Sequence, residues 1–385
     1  MSLCNEQREK AHSKRRNGET LLEFLYRSDR PEIPPICQLL EDWFQGYPLE
    51  QRQQLQRRLR SRRDDEFHSA FLELYLFTLL RKFRFDVEVP QASADEEKTE
   101  DFQIRRNRQL LCRIEATHVG QEEKHAWQDD FQEELQRSLD KAQTNGVWFF
   151  VCIEGSFDSQ PRCAKVRRQF QNWHKKHRVG IVSALAGGAT PTELPRFQIA
   201  EAGANITITP QGVGPASDNP VAVWSRGVRC MHTDEKLCRA LNRKASRYGT
   251  MKVPFLVAAS LCEMADERDF ANALLGKEAF MVSVAGDSPP APFRQPDGLW
   301  WGPKGPQNTR VSAVLLVAEL FPWSVAARQP IVYHNPWAEH PLPPDILPLT
   351  QMLPDNAKGQ YERCRGQPMH EILGLPEHWP RHGNP

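Results

Sequence analysis

Apolar side chains recur at helical spacing between residues 65 and 84, which predicts a helix with a buried face. Glu73 lies among these apolar residues, where a solvated acid is not expected and a buried acid needs a partner. Arg81 or Lys82 could supply an ordinary ion pair for it. The residues that define the apolar stripe are Phe67, Phe71, Leu74 and Thr78. The pattern therefore predicts a core helix with one glutamate in a paired or functional role.

Alternation typical of β-strands follows between residues 99 and 117, on both sides of a polar turn. Side chains of a strand alternate between faces with a period of two, so Asp101 and Glu115 both lie on the polar face of the predicted hairpin. A turn centred on Arg108 places the two carboxylates opposite each other. A two-residue turn at Asn107 and Arg108 shifts the register and separates them.

Two facing carboxylates destabilise a hairpin, because like charges directly across a ladder repel. At a separation of about 4 Å the repulsion is about 4 kcal/mol for an effective dielectric constant near 20. A divalent cation removes this cost, since hard metal ions prefer clustered oxygen ligands. The alternative is a surface hairpin whose two acids face water.

The order of helix, short strand and acidic hairpin resembles the PD-(D/E)xK nuclease superfamily, and in particular bacterial members with an EAT variant of its second motif. The matching segments are ELYL at Glu73 to Leu76, EDF at Glu100 to Phe102 and EAT at Glu115 to Thr117. The resemblance implies an α/β (α+β) fold, with a restriction-endonuclease-like mixed sheet flanked by helices. It also implies Mg²⁺ or Mn²⁺ as the cofactor. The implied metal ligands are Asp101, Glu115, Glu73 and the backbone carbonyl of Ala116.

Two positions depart from the superfamily pattern. Glu100 replaces the usual proline, which only stiffens the turn, and Thr117 replaces the signature lysine. A threonine cannot act as a cation on the attacking water. Lys244 is the candidate replacement, because it lies on a predicted helix before an apolar strand, in a Lys-Ala-x-x-Tyr-Gly segment like that of the resembling proteins. The alternative is a solvated lysine on an amphipathic helix.

The chain of 385 residues predicts two or three domains. The expected division is a helical N-terminal extension over 1–64, a nuclease-like core over 65–120 and 235–285, an α/β insertion over 121–234, and a strand and loop extension over 286–385. The last 35 residues, rich in proline and charge, are expected to form a loose tail.

The net charge is only +1, so local patches must provide any contact with nucleic acid. One candidate patch lies in the acid-free segment 51–63, and another on a helix of the insertion. The residues expected to bind phosphate are Arg57, Arg58, Arg60, Lys165, Arg167 and Arg168. Solvated helix faces are the alternative. Phe170 and Trp173 are expected to pack their helix on a strand, and His174 and His177 to lie at the surface.

Nine cysteines without a Cys-x-x-Cys pair favour reduced thiols and a cytoplasmic protein. Cys230, His232 and Cys238 form an incomplete zinc set, since no fourth ligand is evident. The polar N-terminus and the lack of a long apolar run predict neither a signal peptide nor a membrane span. His334 and Asn335, among prolines and a tryptophan, are expected in a packed turn and not in a site.

The resemblance implies a metal-dependent nuclease that hydrolyses DNA phosphodiester bonds, with RNA as a second candidate substrate. The competing hypothesis is an inactive protein of nuclease fold that binds nucleic acid or acts in assembly, and Thr117 is its main support. The sequence leaves open whether the role is defence, repair or mobile-element processing. It also leaves open the sequence specificity and the oligomeric state, and a dimer is compatible with the sequence.

Overall fold

A computed structural model of the chain describes residues 3, 15, 19–90, 99–120, 123–155, 157–190, 193–214, 221–225, 233–249, 251–281, 291–355 and 360–380. The chain divides into two compact units, which are Met1–Gly120 with His232–Pro385 and Gln121–Met231. The second unit nearly coincides with the predicted insertion. The first unit contains the expected core together with both terminal extensions.

The fold is mixed α/β. Its helices in the described residues are α1 (Leu21–Arg27), α2 (Ile33–Gly46), α3 (Arg52–Leu59), α4 (Asp64–Lys82), α5 (Glu123–Asp140), α6 (Cys163–Ala186), α7 (Thr233–Ala245), α8 (Glu267–Leu275) and α9 (Met369–Leu373). Its strands there are β1 (Asp86–Glu88), β2 (Phe102–Arg106), β3 (Gln109–Val119), β4 (Val147–Glu154), β5 (Phe197–Glu201), β6 (Ala204–Val213), β7 (Val221–Ser225), β8 (Phe255–Leu261), β9 (Glu278–Met281), β10 (Ala291–Arg294), β11 (Trp301–Gly302), β12 (Gly305–Pro306), β13 (Ala313–Ala318), β14 (Ile331–His334), β15 (Thr350–Asp355) and β16 (Gln360–Cys364). Among the described helices, none is both long and apolar enough to cross a membrane.

An eight-stranded mixed sheet in the order β1-β2-β3-β8-β13-β14-β15-β16 organises the first unit. β1, β2 and β3 form an antiparallel meander, and β8 lies parallel to both β3 and β13. Parallel neighbours need a long crossover connection. The chain between β3 and β8 contains the whole second unit and then α7.

Helices cover the two faces of this sheet. α4, with its apolar stripe, packs in one core with alternate residues of β2 and β3, among them Ile104 and Ile114. α7 packs on the opposite face, in a core with Val257 and Ala259 of β8. The predicted core helix over 65–84 is confirmed as α4, which ends two residues earlier. The uninterrupted burial of β8 follows from this cover on both faces.

The β2–β3 hairpin combines a tight turn with a bulge. The turn is formed by residues 107–108, whose φ angles of 51° and 66° match the type I′ geometry of two-residue hairpins. A bulge in the ladder then shifts the register by one residue, so Phe102 pairs with Ile114. If this register continues by one residue pair, Asp101 lies opposite Glu115. The expectation that a two-residue turn separates the carboxylates is therefore wrong, because the bulge restores the register.

The predicted loose tail is also wrong. β15 and β16 extend the large sheet, and α9 packs on α4 through the buried residues Met369 and Leu373. The hydroxyl of Tyr75 on α4 lies 3.9 Å from the sulfur of Met369. Two apolar side chains at helical spacing thus anchor α9 in the core, although the composition of this segment is mostly polar.

The expected turn near residue 334 is confirmed as packed structure. His334 Nε2 lies 2.7 Å from Gln351 Oε1, and the Asn335 amide donates to the carbonyl of Val311 at 2.8 Å. Both side chains are buried. They serve the fold at the end of β14.

The second unit is a four-stranded sheet, ordered β5-β6-β4-β7, with α5 and α6. The predicted hairpin over 196–208 is confirmed as β5 and β6. Phe170 of α6 packs edge-on against Phe149 of β4, and Trp173 lies against Phe197, as expected. The surface position predicted for His174 is wrong. Its ring is buried against Phe149, because it lies on the same face of α6 as Phe170.

Candidate active site

Glu115 is the centre of a buried polar cluster on β3. Its side chain is only 1% exposed, and it receives three donors from the end of α7 and the residues after it. Lys244 Nζ lies 2.5 Å from Oε1, and Arg247 donates to the same oxygen at 3.1 Å. The hydroxyl of Tyr248 contacts the other oxygen, Oε2. A nearly inaccessible carboxylate is thus compensated by two cations and a phenol.

The amphipathic pattern of α7 places these donors. Ala240, Leu241 and Ala245 are buried in the core beneath the helix, which leaves Lys244 at the rim facing β3. The ring of Tyr248 packs edge-on against Phe255 at the start of β8. Burial and the hydrogen bond with Glu115 raise the pKa of the Tyr248 phenol, so it remains a neutral donor.

Asp101 lies immediately before β2 and is joined to β3 by its side chain. Its Oδ2 accepts the backbone N–H of Ala116 at 2.7 Å. The N–H of Arg113 points the other way, to Pro254 beside β8. Because strand backbone groups alternate in direction, the carbonyl of Ala116 points to the same side as its N–H, towards Asp101. Asp101 and this carbonyl therefore share one edge of the site.

The electrostatic environment of Asp101 is strongly unfavourable for a negative charge. Burial and the charges of Glu73 and Glu115 raise the pKa of this carboxyl to about 7, against the opposing effects of the Ala116 N–H and Lys244. The three acids thus lie close enough to interact, although they come from α4, the start of β2 and the middle of β3. A cation bound beside Asp101 would relieve this repulsion.

Glu73 is held by an arginine that sequence reasoning assigned elsewhere. The guanidinium of Arg58 on α3 forms two hydrogen bonds with its carboxylate, at 2.6 and 2.8 Å, and contacts Ser69 at 3.2 Å. The prediction that Arg81 or Lys82 pairs with Glu73 is wrong, because both residues lie two turns further along α4. Burial lowers the pKa of Arg58, but its bond with Glu73 and the charges of Glu73 and Asp101 raise it overall.

The donor set fits a hard divalent cation. The carboxylate of Asp101 interacts electrostatically with Glu115 and accepts the N–H of Ala116. Carboxylates and a backbone carbonyl are hard oxygen donors, and Mg²⁺ commonly binds to one or two carboxylates while it keeps several waters. Among the residues that the structure describes, no three His, Cys, Asp or Glu side chains form a group able to hold a metal ion. Glu73 is held in its ion pair with Arg58, and its role as a ligand stays a prediction.

The predicted phosphate-binding residues are only partly available. Arg58 is bound to Glu73, and Arg60 donates to the carbonyl of Leu3 at 2.9 Å, whereas Arg57 is exposed. On α6, Lys165 pairs with Glu201 at 2.9 Å. Arg168 is exposed on that helix and Arg167 is half-buried.

The incomplete zinc set cannot be placed as a whole. Cys230 and His232 lie outside the described residues. The thiol of Cys238 lies 3.6 Å from the carbonyl oxygen of Asp297 and accepts from the Asn242 amide at 3.3 Å.

Sequence reasoning missed Arg247 and Tyr248 as neighbours of Glu115. A signal was present, because they follow Lys244 by three and four residues and such positions lie on one side of a helix or of its last turn. The Arg58–Glu73 pair had no such signal, since the two residues come from different helices. Comparisons of the chain with protein-family models, with curated proteins and with solved structures gave no match.

The stability of the metal-free protein should fall as the pH rises from about 4 to about 7. Asp101 has a pKa of about 7 in the folded chain and an ordinary value of 3.8, so between these values the folded state binds more protons than the unfolded state. Linkage then costs up to about 1.4 kcal/mol of unfolding free energy per pH unit. Asp101→Asn should lack this slope and exceed the wild type in stability at pH 8. Urea denaturation of both proteins in EDTA at pH 5 and pH 8 measures the difference, and equal slopes would contradict it.

Proposed function

We propose that this chain is a Mg²⁺-dependent nuclease that hydrolyses phosphodiester bonds in DNA. The observation that carries the proposal is the ion pair of Lys244 with Glu115, beside the carboxylate of Asp101. In this proposal Lys244, which comes from another element, supplies the cation that Thr117 cannot supply. Two carboxylates that could hold a metal ion, with a cation beside them, suit metal-assisted phosphodiester hydrolysis.

The order of elements in the first unit supports the same proposal. A helix (α4), a three-stranded meander (β1 to β3), a second helix (α7) and a parallel strand (β8) follow each other in the chain, and the strands are neighbours in one sheet. This is the arrangement that a restriction-endonuclease-like core implies. The site lies between the two helices, at the edge where the β2–β3 ladder begins.

Each residue of the site has a distinct role in the proposed reaction. A bound Mg²⁺ supplies a positive charge for the scissile phosphate and lowers the pKa of a water. Asp101, Glu115 and the Ala116 carbonyl bind the ion. Lys244 orients the attacking water and holds a proton beside it, which its 2.5 Å contact with Glu115 prepares.

A basic surface on α6 supports a polyanionic substrate. This helix of 24 residues contains six lysines and arginines and no acid. The exposed cations on it are Arg168, Lys175, Lys176 and Arg178. Such a surface attracts phosphate backbones without sequence preference. DNA is therefore the proposed partner of the second unit, and RNA has the same backbone charge.

A plasmid nicking assay distinguishes the proposed nuclease from the competing function, which is nucleic-acid binding without catalysis. The proposal expects relaxation of supercoiled DNA with Mg²⁺ or Mn²⁺, and none with EDTA or with Asp101→Asn. Binding of DNA without cleavage under all of these conditions would favour the inactive alternative. Cleavage of RNA alone would change the substrate and leave the site intact.

The variant Glu73→Gln tests whether Glu73 is a metal ligand or only a member of a structural ion pair. If Glu73 contributes to metal binding, the substitution should weaken Mn²⁺ affinity about tenfold or more, as loss of a residue that supports a metal site commonly does. Loss of the Arg58 pair should lower stability in either case, because it leaves a half-buried guanidinium unpaired. Calorimetric Mn²⁺ titration together with thermal unfolding measures both effects. Unchanged affinity with lowered stability would remove Glu73 from the metal site.

A further inference from the structure

We propose that Tyr248 is a positioning residue that fixes Glu115 for metal binding, an inference that rests on the proposed nuclease function. Its hydroxyl lies 2.9 Å from the carbonyl oxygen of Thr99 and also contacts Glu115 Oε2, so the single phenol proton is shared between these two acceptors. Thr99 precedes Asp101 by two residues. The phenol therefore links the carboxylate on β3 to the segment that presents the second carboxylate.

This link closes a ring of contacts around the proposed metal site. On one side Tyr248 joins Thr99 to Glu115, and on the other side Asp101 accepts the N–H of Ala116, the residue after Glu115. The two tethers span the point where the β2–β3 ladder begins, with Phe102 as its first paired residue. Together they set the separation of the two carboxylates.

The position of the Tyr248 ring is itself fixed. The ring packs edge-on against Phe255 with a centroid separation of 5.5 Å, and Arg310 donates to the backbone carbonyl of Tyr248 at 2.6 Å. An aromatic side chain with so few free torsions transmits a constraint well. The hydroxyl can hold Glu115 at a defined place relative to Asp101.

Tyr248 also differs in kind from the other donors to Glu115. Lys244 and Arg247 both bind Oε1 and bring positive charge, which opposes a metal ion. Tyr248 binds Oε2 as a neutral group, so it orients the carboxylate and leaves its negative charge available. Groups that orient metal ligands through hydrogen bonds typically change metal affinity about 10- to 100-fold.

The test is calorimetric Mn²⁺ titration of the full chain carrying Tyr248→Phe, with Tyr361→Phe as the matched control. Tyr361 is half-buried, as Tyr248 is, and its hydroxyl donates to the carbonyl of His334 at 2.7 Å, which is the same chemistry outside the site. We expect Tyr248→Phe to weaken Mn²⁺ binding about 10- to 100-fold. Tyr361→Phe should bind like the wild type, although both variants lose a partly buried hydroxyl with its hydrogen bonding.

Equal Mn²⁺ affinity of the wild type and Tyr248→Phe would overturn the inference and leave the proposed function standing. Absence of Mn²⁺ binding by the folded wild type would overturn both. Equal weakening in Tyr248→Phe and Tyr361→Phe would assign the effect to general destabilisation and also overturn the inference.

If circular dichroism shows that Tyr248→Phe does not fold, Arg310→Gln takes its place, because it frees the Tyr248 backbone. That variant should bind Mn²⁺ several-fold more weakly, and wild-type affinity would contradict the inference.

Discussion

Asp101→Ala and Glu115→Ala should each lower the rate of DNA cleavage by about 1,000-fold or more, which corresponds to about 4 kcal/mol of transition-state stabilisation. Each variant removes one of the two carboxylates proposed to bind the cation. The fold should survive. Metal-free Asp101→Ala should be more stable than the wild type near neutral pH, because the variant no longer buries a carboxylate beside Glu73 and Glu115, and this burial and these neighbouring charges raise the pKa of Asp101. Single-turnover plasmid cleavage and thermal unfolding are the measurements.

Glu88→Ala is the matched control for these variants. Glu88 lies on β1 of the same meander and pairs with Arg105 at 3.3 Å, on the exposed side of the hairpin. Its removal should leave cleavage unchanged. Wild-type cleavage by both Asp101→Ala and Glu115→Ala would show that the proposed site is wrong.

Lys244→Ala should lower the cleavage rate about 100-fold or more, as expected for the loss of a positioned acid–base group. Metal affinity should not fall, because Lys244 is not a ligand and its positive charge beside Glu115 opposes a metal ion. Lys236→Ala provides the matched control. Lys236 is on the same helix, is well buried, and pairs with Glu263 at 3.0 Å. Rapid-quench cleavage at saturating Mg²⁺ measures the chemical step of both variants.

Thr117→Lys on the Lys244→Ala background should restore part of the lost activity. Thr117 lies two residues after Glu115 on β3 and therefore on the same face. A lysine there recreates the arrangement that is usual in the nuclease superfamily that the sequence resembles. Full activity in Lys244→Ala would remove Lys244 from the mechanism. Inactivity of the wild type and of the double variant would favour the non-catalytic protein.

The elements whose apolar residues recur with a regular period could be predicted from the sequence. The helical stripe around Glu73 defined α4, and period-two alternation placed Asp101 and Glu115 on one polar face. The segment from Lys244 to Tyr248 fell at the end of a helix before a buried strand, as predicted. Local periodicity determines these features, because each depends on the burial of one face.

Features that depend on distant parts of the chain could not be predicted. The bulge that aligns Asp101 with Glu115 does not change the sequence period in an obvious way. The pairing of Arg58 with Glu73 joins two helices. The position of α9 depends on its contact with α4, in which Met369 meets Tyr75, a residue 294 positions earlier in the chain. Tertiary contacts decide such features.

Electron paramagnetic resonance titration with Mn²⁺ tests the central claim most directly, because it reports on metal binding without requiring the correct DNA substrate. The wild type should show saturable Mn²⁺ binding at one edge of the sheet, displaced by excess Mg²⁺. Asp101→Asn and Glu115→Gln should each lose that binding, while Glu88→Gln retains it. Mn²⁺ binding that is absent from the wild type, or equal in all four proteins, would contradict a metal site between Asp101 and Glu115.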